Sequence, residues 1–241
     1  MRRRYLCVTI VGVLATAVAL SATGGATSGM RHDRMHRISN STSTNWSGYA
    51  VTGSRYTSVS AAWTEPSVTC SGTTAYSSFW VGLDGDTSNT VEQTGTDADC
   101  SGSTPQYYAW YEMYPKFPTN LRNPVQPGDH LTATVTTDGN GRFTLTLSDT
   151  TRGWTNSTSA RLKSAKLASA EVIAEAPSSS GGVLPLANFG TVGFSGAKAN
   201  GATLTSSSPG IDPITMQSGS IVKAQPSSIS NGAFSVTWKH S

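Results

Sequence analysis

Residues Leu131 to Leu147 read Leu-Thr-Ala-Thr-Val-Thr-Thr-Asp-Gly-Asn-Gly-Arg-Phe-Thr-Leu-Thr-Leu. Apolar residues at 131, 133 and 135 alternate with threonines, and Phe143, Leu145 and Leu147 resume the alternation after Asp138-Gly139-Asn140-Gly141. A period of two belongs to a strand, and Asp, Gly and Asn tolerate the positive φ of a tight reversal, so the stretch predicts an antiparallel hairpin. Shorter runs of the same grammar occur at Val59–Trp63, Phe79–Leu83, Tyr107–Tyr114, Phe189–Phe194 and Phe234–Trp238. Many short strands bounded by turn residues imply an all-β sandwich or barrel. One stretch disagrees: Lys163–Ala176 is rich in Ala, Lys, Leu and Glu, and by propensity alone it is helical.

The beginning of the chain has a different composition. Arg2-Arg3-Arg4 precede an apolar run from Tyr5 to Ala22 and small residues through Gly25 and Ala26, the layout of a signal peptide over residues 1–26. Residues 27–44 lack an apolar period and read as a linker or short pro-segment, which leaves residues 45–241 as one domain. Of 17 basic and 14 acidic residues, six and one respectively lie in residues 1–40, leaving 11 against 13. The basic excess therefore disappears from the domain, and neither a nucleic-acid partner nor, after removal of the leader, a membrane is expected. The reading is of a secreted, extracellular monomer. Cys7 falls in the leader, so Cys70 and Cys100 remain as a disulfide pair in an oxidising compartment. Two cysteines without histidines beside them make a poor metal site, and no cofactor is expected.

Histidine chemistry has little support, because His32 and His36 precede the domain, His240 is next to last and His130 follows a Pro127-Gly128-Asp129 turn. The chain carries no G-x-S-x-G elbow, H-E-x-x-H helix or phosphate-binding glycine loop. What stands out is acids inside aromatic or apolar runs, where a charge is costly unless paired or functional. These are Asp84 and Asp86 after Trp80-Val81-Gly82-Leu83, Glu112 after Trp110-Tyr111, and Glu171 and Glu175 in Ala-Glu-Val-Ile-Ala-Glu-Ala-Pro. Taken singly, each is as readily a structural carboxylate bonded to backbone amides.

Taken together, and in order, these segments resemble the glutamic peptidases, or eqolisins. The resemblance runs through Asn45-Trp46-Ser47-Gly48-Tyr49, Trp80-Val81-Gly82-Leu83-Asp84-Gly85, Gln93-Thr94-Gly95, Tyr108-Ala109-Trp110-Tyr111-Glu112, Ala170–Pro177 and Leu186-Ala187-Asn188-Phe189-Gly190. It implies a sandwich of two large curved antiparallel sheets of the concanavalin A-like, jelly-roll type, polypeptide substrates, and a catalytic glutamine and glutamate. By motif position these fall on Gln93 and Glu175. Trp46, Asp84, Trp110 and Glu112 then become candidates for substrate contact, with Asp86 and Glu171 as supporting acids. Val172 and Ala174 stand where the family segment usually has Trp and Val, which bears on local packing and subsite shape.

Two rivals remain open at this level. A glycan hydrolase would use two carboxylates: on a helix Glu171 and Glu175 would stand about 5–6 Å apart, near a retaining pair, and on a strand about 13 Å apart, outside either glycosidase geometry. A carbohydrate-binding module would use Trp46, Trp110 and Tyr111 as a stacking platform and would have no need of Gln93 and Glu175. Asn45-Trp46-Ser47 and Asn156-Ser157-Thr158 also fit the N-glycosylation acceptor pattern.

Overall fold

The computed structural model describes residues 42–86 and 88–241. The proposed leader and nearly all of the linker lie outside the described residues. The described chain contains strands and no helix, beginning with β1 (Thr42–Ser43), β2 (Trp46–Thr52), β3 (Ser58–Thr64), β4 (Ser78–Leu83), β5 (Val91–Ser101) and β6 (Thr104–Tyr114). There follow β7 (Thr119–Asn120), β8 (His130–Thr137), β9 (Arg142–Asp149), β10 (Trp154–Arg161), β11 (Ser169–Glu175) and β12 (Ser178–Ser179). The last are β13 (Gly182–Val183), β14 (Thr191–Ala199), β15 (Ala202–Thr203), β16 (Ile211–Ser218), β17 (Ile221–Pro226) and β18 (Phe234–Trp238).

The strands form two layers that meet in β16. The back layer runs β10-β9-β8-β3-β14-β18-β17-β16 and the front layer runs β16-β2-β11-β4-β5-β6-β7. Ile211–Ile214 pair with β2, whereas Met216–Ser218 pair with β17 across a register shift. A strand that changes sheets at a bulge is how a sandwich turns a corner. Pairing between the strands is antiparallel except for the two residues of β1 on β16, and an isolated bridge joins Tyr76 and Leu186 in parallel.

The hairpin at 131–147 is present with the expected facing. Ala133 lies opposite Leu147 and Val135 opposite Leu145, and all six apolar residues of the alternation are buried. They meet inward-facing residues of the front sheet in one core, in which Tyr49 packs edge-on to Phe234 at 4.8 Å and Phe79 to Phe189 at 5.3 Å. The Trp63 indole donates to the Thr96 hydroxyl at 3.0 Å, a polar link between the layers. Cys70 and Cys100 form the expected disulfide, which ties the segment before β4 to the end of β5.

The Lys163–Ala176 conflict resolves as strand: Ser169–Glu175 pair with β2 on one side and β4 on the other. Every residue of β11 is buried. Ladder bonds on both edges and burial of both faces outweigh a helix propensity that amounts to tenths of a kcal/mol per residue.

Candidate active site

Side chains on the outer face of the front sheet lie in three rungs. One carries Glu171, Gly82, Gln93 and Glu112, the next Ile173, Trp80, Gly95 and Trp110, and the third Glu175, Ser78, Asp97 and Tyr108. Alternation along each strand points all of these to the same side. The middle rung is an aromatic floor, with Trp46 edge-on to Trp80 at 5.0 Å and 76°. Gly95 is required there, because a Cβ would stand 2.1 Å from the Phe79 carbonyl oxygen and 2.6 Å from the Trp80 Cβ.

Glu175 receives an N–H on each carboxylate oxygen. Trp80 Nε1 donates to Oε2 at 2.7 Å and Asn45 Nδ2 donates to Oε1 at 3.1 Å. The Ser43 hydroxyl donates to Asn45 Oδ1 at 3.2 Å, which turns the amide N–H toward the acid. An ionised carboxylate is acceptor-only, so two donors suit that form. Asn45 was visible in the sequence only as a motif member and a glycosylation candidate, and its complete burial against Glu175 removes the second role.

Gln93 Nε2 donates to Glu112 Oε2 at 2.9 Å. Glu112, expected at the substrate, thus orients the glutamine. Trp110 donates its indole N–H to Asp97 Oδ1 at 2.6 Å, and Tyr108 its hydroxyl to Asp99 Oδ2 at 2.7 Å. Register sets Gln93 and Glu175 two strands and two rungs apart on one face, with Trp80 in the rung between. Trp46 and Trp110 are fully buried in the floor. Tyr111 packs on the opposite side, against the inter-sheet core, so the three aromatics form no common platform.

Asp84 differs from expectation. It is buried, has φ 67°, and accepts the backbone N–H groups of Lys166, Leu167 and Ala168 at 2.7–2.8 Å. Its carboxylate holds the turn that leads into β11, at the end of that strand far from Glu175. Asp86 stands among the acids around Glu171, as a supporting residue would. Among the described residues no group of three or more His, Cys, Asp or Glu has a metal-holding arrangement, and His130 is exposed on the back layer beside the Thr64 hydroxyl.

A peptidase A4 family model matches residues 44–238. This chain belongs to the peptidase A4 family. Aspergillopepsin-2 of Aspergillus niger is 31% identical over 222 residues, covering 81% of this chain and 78% of the relative. Scytalidopepsin B of Scytalidium lignicola is 38% identical over 105 residues, 42% of this chain and 39% of the relative. Scytalido-glutamic peptidase, solved with a transition-state analogue, superposes with a TM-score of 0.72 at 27% identity, covering 81% of this chain and 98% of that one. Aspergilloglutamic peptidase from Aspergillus niger follows at 0.62 and 26%, covering 68% and 99%. The chain is accordingly a peptide hydrolase of polypeptide substrates, on the β-sandwich of the glutamic peptidases.

In this peptidase several buried acids are held in their protonated form. Burial raises Glu65 to about 8 against the opposing Thr96 hydroxyl and Trp63 indole, Glu92 to about 9 and Asp97 to about 7. Glu171 is pushed well above the carboxylate range, first by burial and then by Asp86, Asp84 and Glu92. Asp99 is raised in the same way, by burial and then Asp97. A folded pKa above the unfolded one means that the native state holds extra protons, so stability is full below about pH 4.5 and is lost as pH rises through 7, 8 and 9. Each group contributes up to about 1.4 kcal/mol per pH unit within its window. Thermal melts between about pH 4 and pH 9 should show a monotonic fall above about pH 5. Glu65→Gln, in the inter-sheet core and away from the outer face, should flatten that fall; an unchanged slope would contradict the assignment of Glu65.

Proposed function

We propose that this peptidase is an exported acid endopeptidase in which Glu175 is the general base and acid and Gln93 the oxyanion donor. The observation that carries the choice is the contrast along β11. Glu175 accepts an N–H bond on each carboxylate oxygen, whereas Glu171, on the same strand and face, is raised by burial and then by the acids around it. With substrate across the aromatic floor, Glu175 would deprotonate the attacking water and later pass that proton to the leaving amine. The Gln93 amide, held by Glu112, would donate to the oxygen that becomes the oxyanion, and it does so without titrating. The strand conformation of β11 disfavours a glycosidase, since four residues at about 3.3 Å each separate Glu171 and Glu175 beyond either glycosidase spacing; because Glu171 shares the rung of Gln93 whereas Glu175 stands two rungs away, Glu171 is the second reading for the base.

Glu175→Gln should abolish hydrolysis of a denatured protein at acid pH with the fold intact by circular dichroism. Gln93→Ala should lower kcat by about 100- to 1,000-fold with a smaller change in KM, and Glu171→Gln should cost less than either. Activity should fade toward neutrality as the proton for the leaving amine becomes scarce. Near-normal turnover by folded Glu175→Gln, or an inactive Glu171→Gln beside an active Glu175→Gln, would assign the base elsewhere. Export predicts that N-terminal sequencing of secreted protein begins between Ala22 and Thr44; a start at Met1 would refute it.

A further inference from the structure

The 11 basic and 13 acidic residues of the domain are separated by depth. Within residues 42–241 every acid except Asp138 and Asp212 is buried, whereas every Lys and Arg except Lys223 is exposed. The surface is therefore cationic although the domain as a whole is not, and a partner meets the surface. The cations gather at the turn of the β8–β9 hairpin. Arg142, the first residue of β9, stands directly opposite Arg161, the last of β10. Both are exposed, on the side away from the buried Phe143. Arg55 donates to the Gly139 carbonyl at 2.6 Å, and Lys163 follows Leu162, whose N–H donates to the Gly141 carbonyl at 2.8 Å.

Four cations thus surround one turn. The acid among them, Asp138, accepts the backbone N–H groups of Asn140 at 2.7 Å and Arg142 at 3.1 Å. Like charges directly opposite each other on a sheet repel, and the ion pairs among the described residues are those of Arg152. A depression of about 290 Å³ opens at the arginine pair, lined by Arg142, Ser159, Ala160 and Arg161. We propose that this depression binds a sulfate or phosphate ester of an acidic polysaccharide, on the layer opposite the aromatic floor, and so holds the peptidase on such a polymer.

The ligand class follows from the groups present. Two guanidinium forks offer paired N–H donors to the oxygens of one oxyanion. The fold is most stable in acid, where a carboxylate ligand would lose its charge near a pKa of about 4, while sulfate and phosphate esters keep at least one. Beside the arginines the same face continues in the cross-strand pairs Thr144–Ser159 and Thr146–Ser157. Hydroxyls of this kind both donate to and accept from sugar hydroxyls. Nucleic-acid bases would need rings to stack on, and the outward positions of β8, β9 and β10 carry no Phe, Tyr or Trp. Trp154 of β10 turns to the other side and packs against the core.

The experiment is binding of the enzyme to immobilised dextran sulfate at about pH 4.5, with neutral dextran as reference. Wild type should bind the sulfated polymer and not the neutral one, and the affinity should fall as salt rises. Arg142→Gln/Arg161→Gln should weaken binding at least about tenfold and flatten the salt dependence, while Arg122→Gln/Lys239→Gln, which removes two exposed cations elsewhere, should change it less than about twofold. The arginine-pair variant should hydrolyse a short soluble peptide at the wild-type rate and melt no lower than wild type, since it removes two like charges that face each other. Equal losses in the two variants would reduce the attraction to diffuse surface charge and overturn the site, as would undiminished binding by the folded arginine-pair variant or equal binding of neutral dextran. A single-stranded oligonucleotide held by the arginine pair more tightly than dextran sulfate would assign the site to nucleic acid and overturn the choice of polysaccharide.

Discussion

Among the described residues, Glu65 between the sheets and Glu92, Asp99 and Glu171 of the front sheet are buried without a cation in the described ion pairs. Among the described residues the ion pairs are those of Arg152 with Asp129 and Asp149, whereas Glu65, Glu92, Asp99 and Glu171 lie buried with hydroxyl or N–H neighbours or with other acids. Desolvating an unpaired carboxylate costs several kcal/mol, and the group avoids that cost by keeping its proton. Acidity is thus a condition of the packing. Glu65, Glu92, Asp99 and Glu171 are all shifted upward by their burial, so acid suits the packing of this scaffold.

Within that setting the strands distribute donors unevenly. Glu171 and Glu175 share a strand, a face and complete burial, yet only the second meets both an indole and an amide N–H. The difference comes from neighbours in register. Glu175 lies opposite Trp46 and Ser78, one residue from Asn45 and one rung from Trp80, while Glu171 lies opposite Ala50 and Gly82. Gly95 leaves the space in which Trp80 sits. Residues without side chains therefore take part in the site by letting an aromatic reach the acid.

How much of this was legible in the sequence depends on which layer is considered. Strands of the back layer bury one face, so β8 and β9 show the alternation that predicts them. In the front layer β4, β5 and β11 are buried on both faces, and β5, with Gln93, Asp97 and Asp99 on one side and Glu92, Thr94 and Thr96 on the other, has no apolar period to read. Its place emerged only through resemblance to the glutamic peptidases. The same double burial explains why β11 resembled a helix by composition. A carboxylate inside an apolar run has the same signature whether it meets substrate or, as the Asp84 carboxylate does, three backbone amides. Asn45 was missed as a partner of Glu175 because its contact spans 130 residues of chain.

Carbon-detected NMR of protein labelled with ¹³C at the glutamate carboxyls, titrated from about pH 4 to pH 9.5 and assigned by single Glu→Gln variants, measures the protonation of these buried acids directly. The account predicts that the Glu65 and Glu92 resonances keep their protonated shifts through neutrality and titrate near 8 and 9, with Glu171 also protonated in acid. Titration of all three in the ordinary carboxylate range, near 4.5, would contradict it.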